Sequence, residues 1–213
     1  MDDLPSPPAG VIWAELSPVL AAGARAWLES TLRDGALLAD PLRFRVAFAQ
    51  VTRKLGAQLE LVDLARLSLL AVGLGLRSRE QQRALVETLF HTGEQREQQS
   101  VLRALPRLAE QPGLDPATFC PIAIEACRTN SVAVFSAIAH DNPYPAAHFP
   151  ELHFNQLVLK ALFLGVTVAR IVGLEARKNT ELVRMVRAYA SERRAAGRAV
   201  PADVDNVIAL CER

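Results

Sequence analysis

LELVDLARLSLLAVGLGL, the stretch from Leu59 to Leu76, is apolar on nearly every side when wound as an α-helix. Leu61, Val62, Leu64, Leu67, Leu69, Leu70 and Val72 leave it no wide polar face. A helix of this kind takes the centre of a helical protein, because each side needs an apolar neighbour. It is too short, and too interrupted by Asp63 and Arg66, to read as a membrane span.

The flanking sequence supplies such neighbours. Upstream, Asp40-Pro41 is an N-cap followed by a first-turn proline, and Phe44, Phe48, Val51 and Leu55 form one stripe ending near Gly56. Ser17-Pro18 gives the same signal for a helix to about Arg33, with Leu20, Trp27 and Leu28 apolar. Downstream, Ser78 and Gln81 form a capping box ahead of Leu85, Val86 and Leu89. The polar run Glu94 to Gln99 reads as a solvated first turn leading to Val101, Leu102 and Leu105, with Pro106 kinking or ending that helix. Asp115-Pro116, Ser131, Pro150, Asn179-Thr180 and Pro201 start further helices. The helix after Pro150 stays apolar to about Val168, and Gly197 suits a C-terminal cap.

Strand-like alternation is missing, so the predicted fold is all-α, with about ten helices in antiparallel hairpins. An α-solenoid-like stack and a compact irregular bundle both fit that pattern. Residues 1–10, with Pro5, Pro7, Pro8 and Gly10, read as a flexible N-terminal arm, and residues 11–213 as a single all-helical domain.

Half the residues are hydrophobic and the net charge is +1, which describes a folded chain without the positive excess that holds a phosphate backbone. Nucleic acid is therefore not an expected partner. Cys120, Cys127 and Cys211 are an odd number without metal spacing and read as small buried thiols in a reducing compartment. Met1 to Pro5 has neither the basic nor the apolar region of a signal peptide, so a cytoplasmic location is expected.

Chemical interest gathers between residues 140 and 177. In Asn142-Pro143-Tyr144-Pro145 two prolines bar helix through the turn and bias Asn142 and Tyr144 toward extended backbone. On the helix that follows, His153, Gln156, Lys160 and Thr167 fall on one line amid Phe154, Leu157, Val158, Leu162 and Leu164. That line is either the solvent edge of a core helix, with Lys160 reaching outward, or the wall of a wet pocket. In a pocket Lys160 would meet an anion or, if desolvated, serve as a base or an imine-forming amine. Arg170 and Arg177 stand apart from a mixed-charge surface run and could turn back to complete a positive site. Asn155 lies about 100° from Gln156 on the helix and is expected to brace the turn. The ligand-binding candidates are thus Asn142, Tyr144, His153, Gln156, Lys160, Arg170 and Arg177, and the structural clasp is Asn142, Pro143, Pro145 and Asn155.

No metal or cofactor is expected. His148 and His153 are five residues apart across Pro150, not the i, i+4 pair of a helical metal site, and His140 and Asp141 read as turn and surface groups. Nucleophile-elbow, Walker and dinucleotide-binding glycine motifs do not occur.

The same segments carry a family likeness. Asn142-Pro143-Tyr144-Pro145-Ala146, Phe149-Pro150-Glu151, Phe154-Asn155-Gln156 and Val158-Leu159-Lys160-Ala161-Leu162-Phe163 resemble the core of the EboA family. Gly173-Leu174, Arg177-x-Asn179 and Tyr189-Ala190-x-Glu192-Arg193 continue the likeness. It covers about residues 120 to 205, while the N-terminal half shares helical character alone. His140 and Asp141 lie outside the matched motifs.

The resemblance implies a cytosolic protein of the ebo gene cluster, encoded beside a prenyltransferase-like membrane enzyme and several metabolic enzymes. That cluster is associated with making or exporting specialised metabolites, among them a pigment precursor in cyanobacteria. The resemblance transfers no catalytic role. Two functions follow as expectations. One is a helical binding or scaffold protein holding a small metabolite or other ebo cluster proteins. The other is an enzyme acting on an anionic or isoprenoid-linked metabolite in a pocket around Lys160. Peripheral membrane contact along Leu157 to Leu174 is a third expectation, opposed by Lys160 and Arg170 within the run.

Overall fold

The computed structural model describes residues 9–213. Among the described residues there are thirteen α-helices and no strand, so the chain is all-α. Of the proline-rich arm, residues 1–8 lie outside the described residues, and Ala9 and Gly10 already belong to a helix. Contacts group the chain into two units, Met1–Ile122 and Ala123–Arg213.

In the first unit, α1 spans Ala9–Leu16 and α2 spans Ala22–Arg33. Ser17-Pro18 opens a 3-10 turn, Ser17–Val19, and not the long helix its cap signal predicts. Leu20 breaks the winding with extended backbone (φ −81°, ψ 138°) and is buried there. Burial of one leucine outweighs a local start signal. The short α3, Gly35–Ala39, was not predicted; Asp34 caps it by accepting the Leu37 N–H at 2.8 Å. The Asp40-Pro41 signal works as expected for α4, Pro41–Leu55, where one carboxylate oxygen accepts the Leu42 and Arg43 N–H groups at 2.8 and 2.9 Å.

The apolar stretch forms α5, Leu59–Gly75. It is followed by α6, Arg79–Thr92, with the Ser78–Gln81 capping box in place, and by α7, Gln95–Ala109. Helix α5 packs against α1, α2, α3, α4, α6 and α7. The first unit is therefore a bundle around one helix, not a linear stack in which each hairpin meets only its neighbours. Where α4 crosses α5, Gly73 lies against the Phe44 ring; a Cβ there would stand 2.3 Å from Phe44 Cε2.

Arg66, in the middle of α5, is 2 % exposed. Its Nε donates to the Phe48 carbonyl at 3.2 Å, Nη1 to Ser100 Oγ at 3.0 Å and Nη2 to Thr52 Oγ1 at 3.2 Å. Glu97 supplies a carboxylate at 3.6 Å. A buried charge persists only when paired and hydrogen-bonded, and these partners meet that requirement. Gln99 and Ser100 are buried as well, so the first turns of α7 are less solvated than the sequence predicts. Pro106 does not end α7, because Leu102, Leu105 and Leu108 on both sides of it are held in the core.

A 3-10 turn, Pro116–Phe119, leads into α8, Cys120–Ala126, within which the division between the units falls. The second unit holds α9 (Val132–Ala139), α10 (Tyr144–His148), α11 (Glu151–Leu164), α12 (Thr180–Ala195) and α13 (Asp203–Glu212). Helix α11 packs on α9 and α12, and α12 packs on α13. Helix α11 ends before Val168, because Gly165 turns left-handed (φ 68°). A 3-10 turn, Val168–Arg170, follows, and Thr167 caps it by accepting the Ala169 N–H at 3.3 Å. Among the described residues no helix is long and apolar enough to cross a membrane.

Candidate functional site

The turn before α10 is tied down from both sides. Asp141 has φ 52°, a backbone state costly for a residue with a Cβ. Its N–H donates to the Arg170 carbonyl at 2.9 Å, while Arg170 returns Nε to the Asp141 carboxylate at 3.0 Å and Nη2 to the same oxygen. The Arg170 hydrogen bond holds the Asp141 carboxyl below the usual aspartate value. His140 Nε2 lies 3.1 Å from the Thr167 carbonyl. Four contacts thus join residues 140–141 to 167–170.

Asn142, 4 % exposed, donates Nδ2 to the Ala137 carbonyl at 3.0 Å and accepts the Tyr144 N–H on Oδ1 at 3.0 Å. This Asx turn starts α10 at Tyr144. Helix therefore begins inside the two-proline motif, against the extended backbone predicted for Tyr144. Pro143 is itself helical (φ −75°, ψ −13°), and Pro145 sits in the first turn, where no N–H is needed. The buried Tyr144 ring packs 4.7 Å from the His148 ring and 6.4 Å from Phe149.

Arg177 closes the other end of α10. Nη1 donates to the Ala146 carbonyl at 2.7 Å and Nη2 to the Phe149 carbonyl at 2.8 Å, with the guanidinium 4.9 Å over the Phe154 ring. A helix end leaves such carbonyls without internal partners, and the arginine fork satisfies two of them. Gly173 makes the approach close. Its φ is 76°, and a Cβ would stand 2.5 Å from Ala146 Cβ.

Asn155 does not brace the 142–145 turn. It is fully buried and exchanges both ends of its amide with Asn179, each bond 3.1 Å long. Asn179 also caps α12, accepting the Leu182 N–H at 2.8 Å. A fully buried amide needs donor and acceptor matched at once, and a second asparagine provides both.

The polar line on α11 is separate from this frame. Gln156 is exposed, and the half-exposed Lys160 holds its ammonium 5.4 Å from the ring of Phe163, itself 61 % exposed. His153 is half-buried, with a buried Nδ1 that lacks a hydrogen-bond partner. With the helix ended at Leu164, Thr167 leaves the line. The structure gathers Asn142, Tyr144 and Arg177 around α10, joins Arg170 to Asp141 and Asn155 to Asn179, and leaves Gln156 and Lys160 on the outer side of α11.

A concave site not marked by the sequence lies along α13. A groove of about 470 Å³ is lined by Val168, Ala169, Leu174, Val207, Leu210 and Arg213, among others. Asp203 pins it, accepting the Val168 N–H at 3.0 Å on one oxygen and Asn206 Nδ2 at 3.0 Å on the other. Its apolar residues are spread over residues 168 to 210, and no short-range pattern could have linked them. In the first unit a cavity of about 480 Å³ is lined by Pro41, Leu76, Arg77 and Leu85. There Arg77 donates to the Gly73 and Ala39 carbonyls. Burial pushes the Cys120 and Cys211 thiols up, away from thiolate chemistry.

A family model described as "Metabolite traffic protein EboA" matches residues 60–209. No curated protein and no solved structure matches the chain.

Proposed function

Because the chain belongs to the EboA family of metabolite traffic proteins, we propose that it holds a metabolite and passes it on unchanged. In this reading it is a cytoplasmic helical binding or scaffold protein working with the other ebo cluster proteins.

One observation carries the reading. The buried Asn142 and Asn155 and the half-buried Arg177 meet backbone carbonyls, a backbone N–H or another amide at 2.7 to 3.1 Å. They hold the frame in place. A catalytic group needs a free hydrogen-bond direction toward the reacting atom, and these directions point inward.

A thermal-shift screen of metabolite fractions, read in parallel by mass spectrometry, tests the proposal. A stabilising compound recovered unchanged is the expected result. Consumption of that compound, abolished in Lys160→Ala, would sink it in favour of an enzyme acting on an anionic or isoprenoid-linked metabolite.

A further inference from the structure

Given the holding role proposed above, we infer that the α13 groove is the cargo site and that its cargo is an amphipathic anion. The apolar body lies over Val168, Leu174, Val207 and Leu210, and the acidic group meets the Lys178 and Arg213 end.

The volume of about 470 Å³ is that of a small-molecule site. The face of α13 that lines it runs from Asp203 to Arg213, about 15 Å at the rise of an α-helix. A docked protein would need roughly 800 Å² of surface on each side, more than one three-turn helix face offers. The floor is apolar and packed, with Val168, Leu174 and Val207 all buried.

The two ends differ in charge. At one end both Asp203 oxygens are already occupied by the Val168 N–H and the Asn206 amide, so that carboxylate is part of the wall. At the other, Arg187 pairs with Glu212. Lys178 Nζ stands 3.5 Å from the carbonyl of Leu210, a lining residue, and Arg213 lines the groove directly. At this end two cations, Arg213 in the lining and Lys178 beside it, stand next to the paired Arg187 and Glu212, while Asp203 keeps its negative charge at the opposite end. A carboxylate, sulfonate or phosphate on an apolar skeleton complements the Lys178 and Arg213 end, with its apolar part directed toward the Asp203 end.

Two related probes separate body from charge: 1-anilinonaphthalene-8-sulfonate and the neutral N-phenyl-1-naphthylamine, titrated by fluorescence into the full chain. Both should bind, the sulfonate about tenfold more tightly, as one charge-assisted contact allows. Ala209 lines the groove and is exposed, so Ala209→Trp fills it without entering the core. That variant should lose both probes at an unchanged melting temperature, and Ala169→Trp repeats the test should the first misfold. Lys178→Gln combined with Arg213→Gln should weaken the sulfonate alone, by about tenfold.

Retention of both probes in the folded tryptophan variants would overturn the groove as the site. Equal affinity for the two probes in the wild-type chain would overturn the anionic cargo. Groove binding with no metabolite retained in the thermal-shift screen would instead sink the holding role and leave the groove assigned.

Discussion

Arg66 shows what one charged residue in an apolar helix requires. Truncation in Arg66→Ala removes the donors that Phe48, Thr52 and Ser100 accept and leaves Glu97 without its cation. Breaking a buried pair from one side costs about 3–5 kcal/mol, so urea unfolding should show a loss of that order. Arg66→Met breaks the pair from the same side and should recover only the part of the loss that comes from the cavity, whereas Arg66→Met combined with Glu97→Leu removes both charges and should lose clearly less. The Asp141–Arg170 pair gives a pH dependence. The Asp141 carboxyl titrates below its unfolded value, so its contribution is complete at neutral pH and disappears as pH falls through the depressed folded value. Arg170→Gln should therefore lower the melting temperature at pH 7 and match the wild type in strong acid. Equal differences at both pH values would contradict the pairing. At this scale the sequence marked Arg66 as an interruption but could not name its partners, which come from other helices.

Helix starts were legible wherever the signal is closed within four residues. Asp40-Pro41, Ser78–Gln81, Ser131 and Asn179 all cap as their sequences predict, because donor and acceptor are local. Ser17-Pro18 misled, because the buried Leu20 sets the local backbone there, and of the two readings of Pro106 the helix end is excluded, since Leu102, Leu105 and Leu108 hold α7 in the core. Among the described residues thirteen helices stand where about ten were expected: α1 precedes the first start signal, and α3 and α10 are single turns too short to show a period. The Asn155–Asn179 exchange was invisible, as it joins residues 24 positions apart. Asn179→Ala should cost about 1 kcal/mol for the lost cap and about 1–3 more for the stranded Asn155 amide. Chemical denaturation of Asn179→Ala beside an Asn155→Leu/Asn179→Ala double variant separates the two contributions. Gly73→Ala is a second test of element packing. The gain of about 1 kcal/mol in helix propensity should be outweighed by the 2.3 Å approach to Phe44, and the melting temperature should fall.

For the whole chain, the central position of α5 could be read directly from its apolar faces, whereas the division into two units could not. Sequence marks a boundary where a linker is exposed and polar, and the division between these units falls inside α8 at Ile122–Ala123. We expect the chain to unfold in one cooperative calorimetric transition, as a single domain from 11 to 213 would. Two separated transitions would show independent folding. Of the candidate residues, Asn142 could be read as a turn group because Ala137 and Tyr144 lie within five positions of it, whereas the partners of Asn155, Arg170 and Arg177 lie 24 to 31 positions away, beyond any short-range pattern. The groove needed tertiary structure to appear at all. Arg66 has, finally, a bearing on the order of events during folding. Its guanidinium is satisfied by groups on α4 and α7 while its own backbone belongs to α5, so it can shed its water shell only after all three helices have arrived. Dehydration of that one side chain is a late step, and the hydrophobic collapse around α5 must proceed with a hydrated cation still inside it.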